Sequence, residues 1–109
     1  MQIQDVPFGI TQWQEIEPTV HAGEIGGASW CTCQFGEVRG RMVTYSPGYK
    51  ADHGCSKGHI LLCFNGELHA EFANGRVFVL QPDMSYQVAD LAEPHRSYTD
   101  VGATLFIVD

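Results

Sequence analysis

Two imidazoles and a thiol, His53, Cys55 and His59, fall within seven residues of one another. These are the side chains that hold zinc and other borderline divalent ions. Read as a strand, Tyr49 to Cys55 puts His53 and Cys55 on one face, because successive side chains alternate. Ser56-Lys57-Gly58 reads as a turn, and His59 opens a second, apolar strand that runs back beside the first. On that reading the three ligand-type side chains meet at one end of one sheet face. The chemistry expected there is that of a bound metal ion.

Whatever positions these residues has to be small. The chain has 109 residues and 12.0 kDa, enough for one domain with a core and too little for a second. Six Lys and Arg stand against thirteen Asp and Glu, a formal net charge of -7, which argues against nucleic acid or an anionic membrane as partner. The N-terminal Met-Gln-Ile-Gln-Asp-Val-Pro-Phe has neither a basic region nor a long apolar run, so neither a signal peptide nor a transmembrane anchor is expected, and the expected location is cytoplasmic. In a reducing compartment Cys31, Cys33, Cys55 and Cys63 are thiols rather than a disulfide frame.

Residues 1–28 carry little pattern: Pro7, Pro18, Gly9 and the glycines from Gly23 to Gly27 break any helix. They read as an N-terminal arm packed on the domain or on a partner subunit, with Trp13 as an anchor. Residues 29–109 read as the domain itself, a series of short runs separated by turn formers, which marks an all-β fold. Ser29 to Phe35 and Glu37 to Tyr45 are the first strands. In the second, Arg39 and Arg41 share one face, and Val38, Gly40, Met42 and Thr44 share the other, which is expected to look inward.

After His59 to Phe64, Asn65-Gly66 predicts a type I′ hairpin into Glu67 to Phe72, and Asn74-Gly75 predicts another into Arg76 to Gln81. Ser85 to Ala89 is a short strand. An acidic loop from Asp90 to Pro94 then delivers His95 to the next one. The apolar run Ala103 to Val108 predicts a strand buried on both faces, in the core or at a subunit contact, and a homodimer is expected. Eight or nine short antiparallel strands fit a single closed barrel or jelly roll, which leaves few open edges.

The segment Gly48-x4-His53-x-Cys55-x3-His59-x6-Gly66 resembles the first cupin motif, with one residue fewer before His53, Cys in place of the second His, and His in place of Glu. Counting the second cupin motif strictly from Gly75 lands Tyr86 at its His position and Asp90 at its Asn. The local words Glu93-Pro94-His95-Arg96 look more like the context of that motif's ligand His, which favours His95 and makes Ser85 to Ala92 an inserted excursion. More narrowly, Ala51 to Cys55, Lys57 to Ile60, Met84 to Asp90 and Pro94 to Ser97 resemble the small cupins named for an Asp-His-Cys-Trp motif. The motif's Trp is missing here, and Asp83 holds a turn position where Gly is expected. The resemblance implies a cupin-type antiparallel barrel with a metal pocket and is tied to no single reaction.

The expected site therefore holds one divalent metal ion, zinc, iron, nickel or copper, on His53, Cys55, His59 and His95. If the Cys55 thiolate coordinates, four protein ligands close the shell of a tetrahedral ion. If it stands off, three imidazoles leave open positions for water, a small-molecule ligand or dioxygen. The open form suits a metal-dependent oxygenase, isomerase or lyase acting on a small molecule. The alternatives are a metal- or metabolite-sensing module and a closed structural site. Tyr86 is a candidate hydrogen-bond donor behind the ligands. Asp52 is expected to face away from the pocket, Cys63 to pack in the core, Cys31 and Cys33 to pack on one face of their strand, and His21 and His69 to be solvent-exposed.

Overall fold

Strands of this length can each bury only one face, so they must pair and then fold over one another to make a core. The computed structural model describes residues 3–109; Met1 and Gln2, the start of the expected N-terminal arm, lie outside the described residues. The strands are β1 (Thr19–Ala22), β2 (Gly27–Phe35), β3 (Val38–Tyr45), β4 (His59–Gly66), β5 (Leu68–Phe72), β6 (Val77–Leu80), β7 (Ser85–Val88), β8 (His95–Tyr98) and β9 (Ala103–Val108). They form a six-stranded sheet in the order β1-β2-β3-β9-β4-β7 and a three-stranded sheet in the order β6-β5-β8, with every pairing antiparallel. The chain is all-β, and the two sheets enclose one core in jelly-roll fashion.

That core comes from the inward residues of both sheets. Val43, Leu61, Cys63, Leu105 and Ile107 of the large sheet meet Leu68 and Leu80 of the small one. β9 sits between β3 and β4, in the middle of the large sheet. Its alternate residues Ala103, Leu105 and Ile107 are buried, and Thr104, Phe106 and Val108 on its other face are half-buried. The Trp13 ring meets Phe106 edge-on at 5.6 Å and lies close over Gly40, where a Cβ would come within 3.4 Å of it. Trp13, in a 3-10 turn over Trp13–Glu15, thus anchors the N-terminal segment on the outside of the sheet.

This cover decides which face of β3 looks inward, and it is the opposite of the expectation. Arg41, Val43 and Tyr45 point into the fold, while Thr44 is exposed. Val38 and Gly40 are also buried, Gly40 beneath the Trp13 ring on the outside of the sheet. Alternation identifies two faces without saying which one the chain covers a second time.

The Asn65-Gly66 hairpin does not form either. β4 and β5 belong to different sheets, so Gly66 turns the chain across the corner between them. Its φ of 76° is the left-handed conformation glycine adopts freely, and a Cβ there would lie 1.9 Å from the Gly102 carbonyl oxygen. Thr99 ties the same corner: its hydroxyl donates to the Glu67 carbonyl at 2.5 Å and accepts from Gly102 N–H at 3.0 Å. A hairpin does form at Asn74-Gly75, joining β5 to β6 with Gly75 at φ 90°, but Asn74 keeps a negative φ and Phe72 and Arg76 close a three-residue loop in place of the expected type I′ turn.

Candidate metal and ligand pocket

His59 begins β4 on the face that also carries Leu61 and Cys63, so the alternation that buries the core aims its ring inward. β7 pairs with β4, with Tyr86 directly opposite Leu61, and β8 brings His95 in from the small sheet. The three side chains meet: His59 Nε2 is 2.7 Å from the Tyr86 hydroxyl and 3.3 Å from His95 Nε2. His95 is only 4% exposed. Its Nδ1 lies 2.8 Å from the Glu93 carbonyl, which can only accept, so the neutral ring carries its proton on Nδ1 and presents the Nε2 lone pair to His59.

Burial sets the protonation states here. Desolvation, reinforced by the neighbouring His95, pushes the His59 imidazole down to about 4, so it is neutral at pH 7. Desolvation pushes the Tyr86 phenol up and keeps it protonated. With His59 protonated on Nδ1, its Nε2 lone pair accepts from the Tyr86 hydroxyl and lies opposite the His95 lone pair.

His53 and Cys55 do not lie on a strand. Residues 46–58 are a loop whose backbone pairs at Lys50, with Ile25 and Tyr98, and at Cys55, with His95. Asp52 and Gly54 in this stretch give a strand neither branched side chains nor an apolar face. Cys55 and His95 exchange both backbone hydrogen bonds, at 2.7 and 2.9 Å, which makes them directly opposed residues with side chains on one side of the ladder. The Cys55 sulfur accepts the Lys57 N–H at 3.4 Å. The His53 side chain is 81% exposed, with Nδ1 2.5 Å from the Asp52 carboxylate.

All four expected ligands border one cavity of about 490 Å³, within the range usual for small-molecule sites. As a metal site the donor set fits at two positions. Two imidazole nitrogens on a tetrahedral ion stand about 3.3 Å apart when each bond is about 2.0–2.1 Å, and His59 and His95 meet that spacing. Among the described residues no three His, Cys, Asp or Glu side chains are gathered closely enough to hold an ion together. His53 and Cys55 would have to come in from the loop.

Several residues stand where the sequence reading did not put them. Tyr86 and His95 are not among them: both reach the site, and Ser85–Val88, paired with β4, forms a short strand where one was expected. The turn before it holds Asp83 at φ 73°, the left-handed conformation expected of the motif's glycine. Asp52 borders the cavity instead of facing away. His21 is half-buried at the rim and stacks on Trp30 with centroids 3.7 Å apart. His69 is not solvent-exposed: its side chain is 13% exposed and lies parallel to Tyr98 at 4.6 Å. Cys63 is fully buried in the core, while Cys31 and Cys33 are half-buried on the other face of β2 from Trp30.

One charged residue of the pocket escaped the sequence reading. Arg41 is 7% exposed and lines the cavity, and its Nη2 donates to Asp109 at 3.2 Å. Arg39 binds the same carboxylate through two donors at 2.9 and 2.8 Å. The signal available was Val43 and Tyr45, a branched and an aromatic side chain in phase with the two arginines.

No protein-family description matches this sequence, and no curated protein does. Solved structures match throughout the chain. An RmlC-like cupin from Shewanella frigidimarina NCIMB 400 superposes with a TM-score of 0.71 at 17% identity, covering 96% of this chain and 92% of that one. The fold is a cupin barrel. Ectoine synthase from P. lautus matches with a TM-score of 0.73 at 15% identity over 93% of this chain and 76% of that one. An Fe(II)-HppE structure matches with a TM-score of 0.70 at 14% identity over 94% of this chain and 60% of that one. These neighbours thus include a synthase and a protein described with Fe(II), and at these identities the likeness speaks for the fold alone. Among the described residues no helix is long and apolar enough to cross a membrane.

Proposed function

We propose that the cupin cavity binds one divalent metal ion and acts on a small molecule held beside it. The observation that carries this reading is the His59–His95 pair, two Nε2 atoms 3.3 Å apart at the cavity wall. His59 and His95 are the fixed ligands, Cys55 is the third because its backbone is already locked opposite His95, and His53 is the fourth. Such an ion, when bound, supplies Lewis acidity or a low-pKa water. The chain's own part is to keep His59 neutral by burial, to hold the His95 tautomer through the Glu93 carbonyl, and to keep the Tyr86 hydroxyl beside His59, where it would be freed as a donor to the pocket once the Nε2 lone pair holds the ion.

Isothermal titration with zinc and elemental content after purification test this reading. One ion per chain is expected in the wild type, with binding lost in His59→Ala and His95→Ala. A chain that arrives metal-free and takes up none of zinc, iron, nickel or copper overturns the reading.

A second reading is favoured by a different observation. The Tyr86, His59 and His95 contacts are already closed on one another, and among the described residues no third ligand side chain is gathered with the two imidazoles. In that reading the same residues bind a small molecule by hydrogen bonds, with no turnover and no metal. The zinc titration separates the two.

A further inference from the structure

The metal reading uses one part of the cavity wall and leaves unexplained the arginine on another. Arg41 of β3 pairs with Ile107 of β9, which pairs with Leu61 of β4, so all three lie in one row across the sheet. His59 is two residues along β4 from Leu61, on the same inward face. With neighbouring strands about 4.8 Å apart, Arg41 stands two strand spacings, roughly 10 Å, from the strand that carries His59. A small molecule can span that gap.

Burying a guanidinium is costly unless its charge and donors are matched, and those of Arg41 are matched incompletely. Its link to Asp109 is shared: the same carboxylate holds Arg39 by two hydrogen bonds and has Lys57 Nζ at 4.0 Å. Three cations therefore face one side-chain carboxylate, in a chain whose overall charge is -7. Arg41 Nε is buried with no hydrogen-bond partner among the described residues. The guanidinium also lies 4.5 Å over the Trp30 ring, another cavity-lining side chain. A positive group with a donor to spare, set beside a flat aromatic wall, is complementary to a planar anion.

We propose that Arg41 anchors a carboxylate of the small molecule this cavity takes, with the molecule's flat body along Trp30 and its other end toward His59 and His95. The proposal rests on reading the cavity as a ligand site and names the class of ligand. The guanidinium turns from Asp109 toward the cavity, and the ligand carboxylate supplies the partner that Nε lacks. Phosphate fits this wall less well. Phosphate sites usually add a cradle of free backbone amides at a helix N-terminus or glycine loop, whereas Arg41 and Trp30 sit on paired strands whose amides serve the ladders.

The test is a ¹⁵N NMR titration of the full chain with benzoate, and with benzamide as its neutral counterpart of similar shape. Benzoate is expected to shift the Arg41 Nε–H and Trp30 indole signals and to bind about tenfold or more tightly than benzamide, the order of one charge-assisted contact. Arg41→Gln removes that preference and Arg41→Lys retains part of it. Asp109→Asn, which removes the competing carboxylate, strengthens benzoate binding, and its fold is read from the same amide spectrum. Equal binding of benzoate and benzamide, no binding of either, or a preference that survives Arg41→Gln overturns the proposal. Zinc binding, titrated separately on the wild type, keeps the two readings apart. An Arg41-dependent benzoate preference in a chain that binds no metal leaves the anchor standing and removes the metal site, and the converse result removes only the anchor.

Discussion

The donors carried by strands and the donors carried by the loop 46–58 meet the same cavity under different constraints. His59 and His95 stand on β4 and β8, with neighbouring strands, a buried phenol and a backbone carbonyl fixing their rings. His53 and Cys55 hang from a stretch whose own ladder contacts are three isolated bridges, two at Lys50 and one at Cys55. The strand-borne pair already has the spacing an ion requires, and the loop-borne pair does not. Preorganisation here comes from the sheets, and the loop contributes adaptable groups.

The largest expected effect checks the rigidity half of this contrast. Gly66→Ala places a Cβ against the Gly102 carbonyl at a φ that disfavours side chains. A loss of about 3 kcal/mol or more is expected by urea denaturation, from combined steric and backbone strain. In the loop, a Cβ at Gly54 would be 3.6 Å from the His95 carbonyl, an ordinary contact. Gly54→Ala should therefore cost well under about 1 kcal/mol. Similar losses for the two variants would erase the distinction.

The next tests concern metal affinity. His59→Ala and His95→Ala should each weaken zinc binding by about 100-fold or more, since even residues that only support metal ligands are worth about 10–100-fold. His53→Ala should cost less than about tenfold. Cys55→Ser lies between, at about tenfold, and cobalt substitution reads it directly: a thiolate-to-cobalt absorption band in the wild type that vanishes in Cys55→Ser shows a bound sulfur. A band that is absent from the start means the sulfur stands off and the site is open.

The smallest effect is on pH dependence. Desolvation alone would raise the Asp109 carboxyl, but the hydrogen bonds from Arg39 and the charges of Arg41, Arg39 and Lys57 outweigh it and hold the group below its usual value of 3.8. A carboxyl depressed in the fold stabilises it above the unfolded value, and that stability is lost as pH falls through the folded one. Acid unfolding curves of wild type and Asp109→Asn should therefore converge below about pH 4. Curves that stay parallel there would show that the carboxylate contributes nothing. The exposed Arg76–Glu93 pair provides the contrast: Arg76→Ala should change stability by under about 0.5 kcal/mol.

Much of this was legible in the sequence wherever the deciding interactions are local. Alternating runs gave β2 to β9 but neither β1 nor the loop at residues 49–55, which was expected to be a strand; Asn74-Gly75 gave its hairpin, and the apolar run Ala103 to Val108 gave a core strand. Long-range placement was not legible. Asn65-Gly66 carries the chemistry of a tight turn, but positive φ serves a corner between sheets equally well, and only the distant Gly102 and Thr99 distinguish the two. The inward face of β3 depended on Trp13 covering the other one. Arg41 was hidden because a buried guanidinium becomes intelligible only beside its partner Asp109, 68 residues away. For the site, ligand type was visible residue by residue, whereas the 3.3 Å meeting of His59 with His95 depends on two sheets closing over each other.

The central position of β9 also has a kinetic consequence. β3 and β4 never pair with each other; each pairs with β9, whose residues Leu105 and Ile107 bridge Val43 to Cys63 and Arg41 to Leu61. Until β9 arrives, β1-β2-β3 and β4-β7 are two separate ribbons with open edges, and Arg41 has no Asp109 beside it. During synthesis these edges wait for the last strand, and folding dominated by such distant pairings is slow. The barrel should therefore close in one late step, completing the large sheet and this cationic wall of the pocket together.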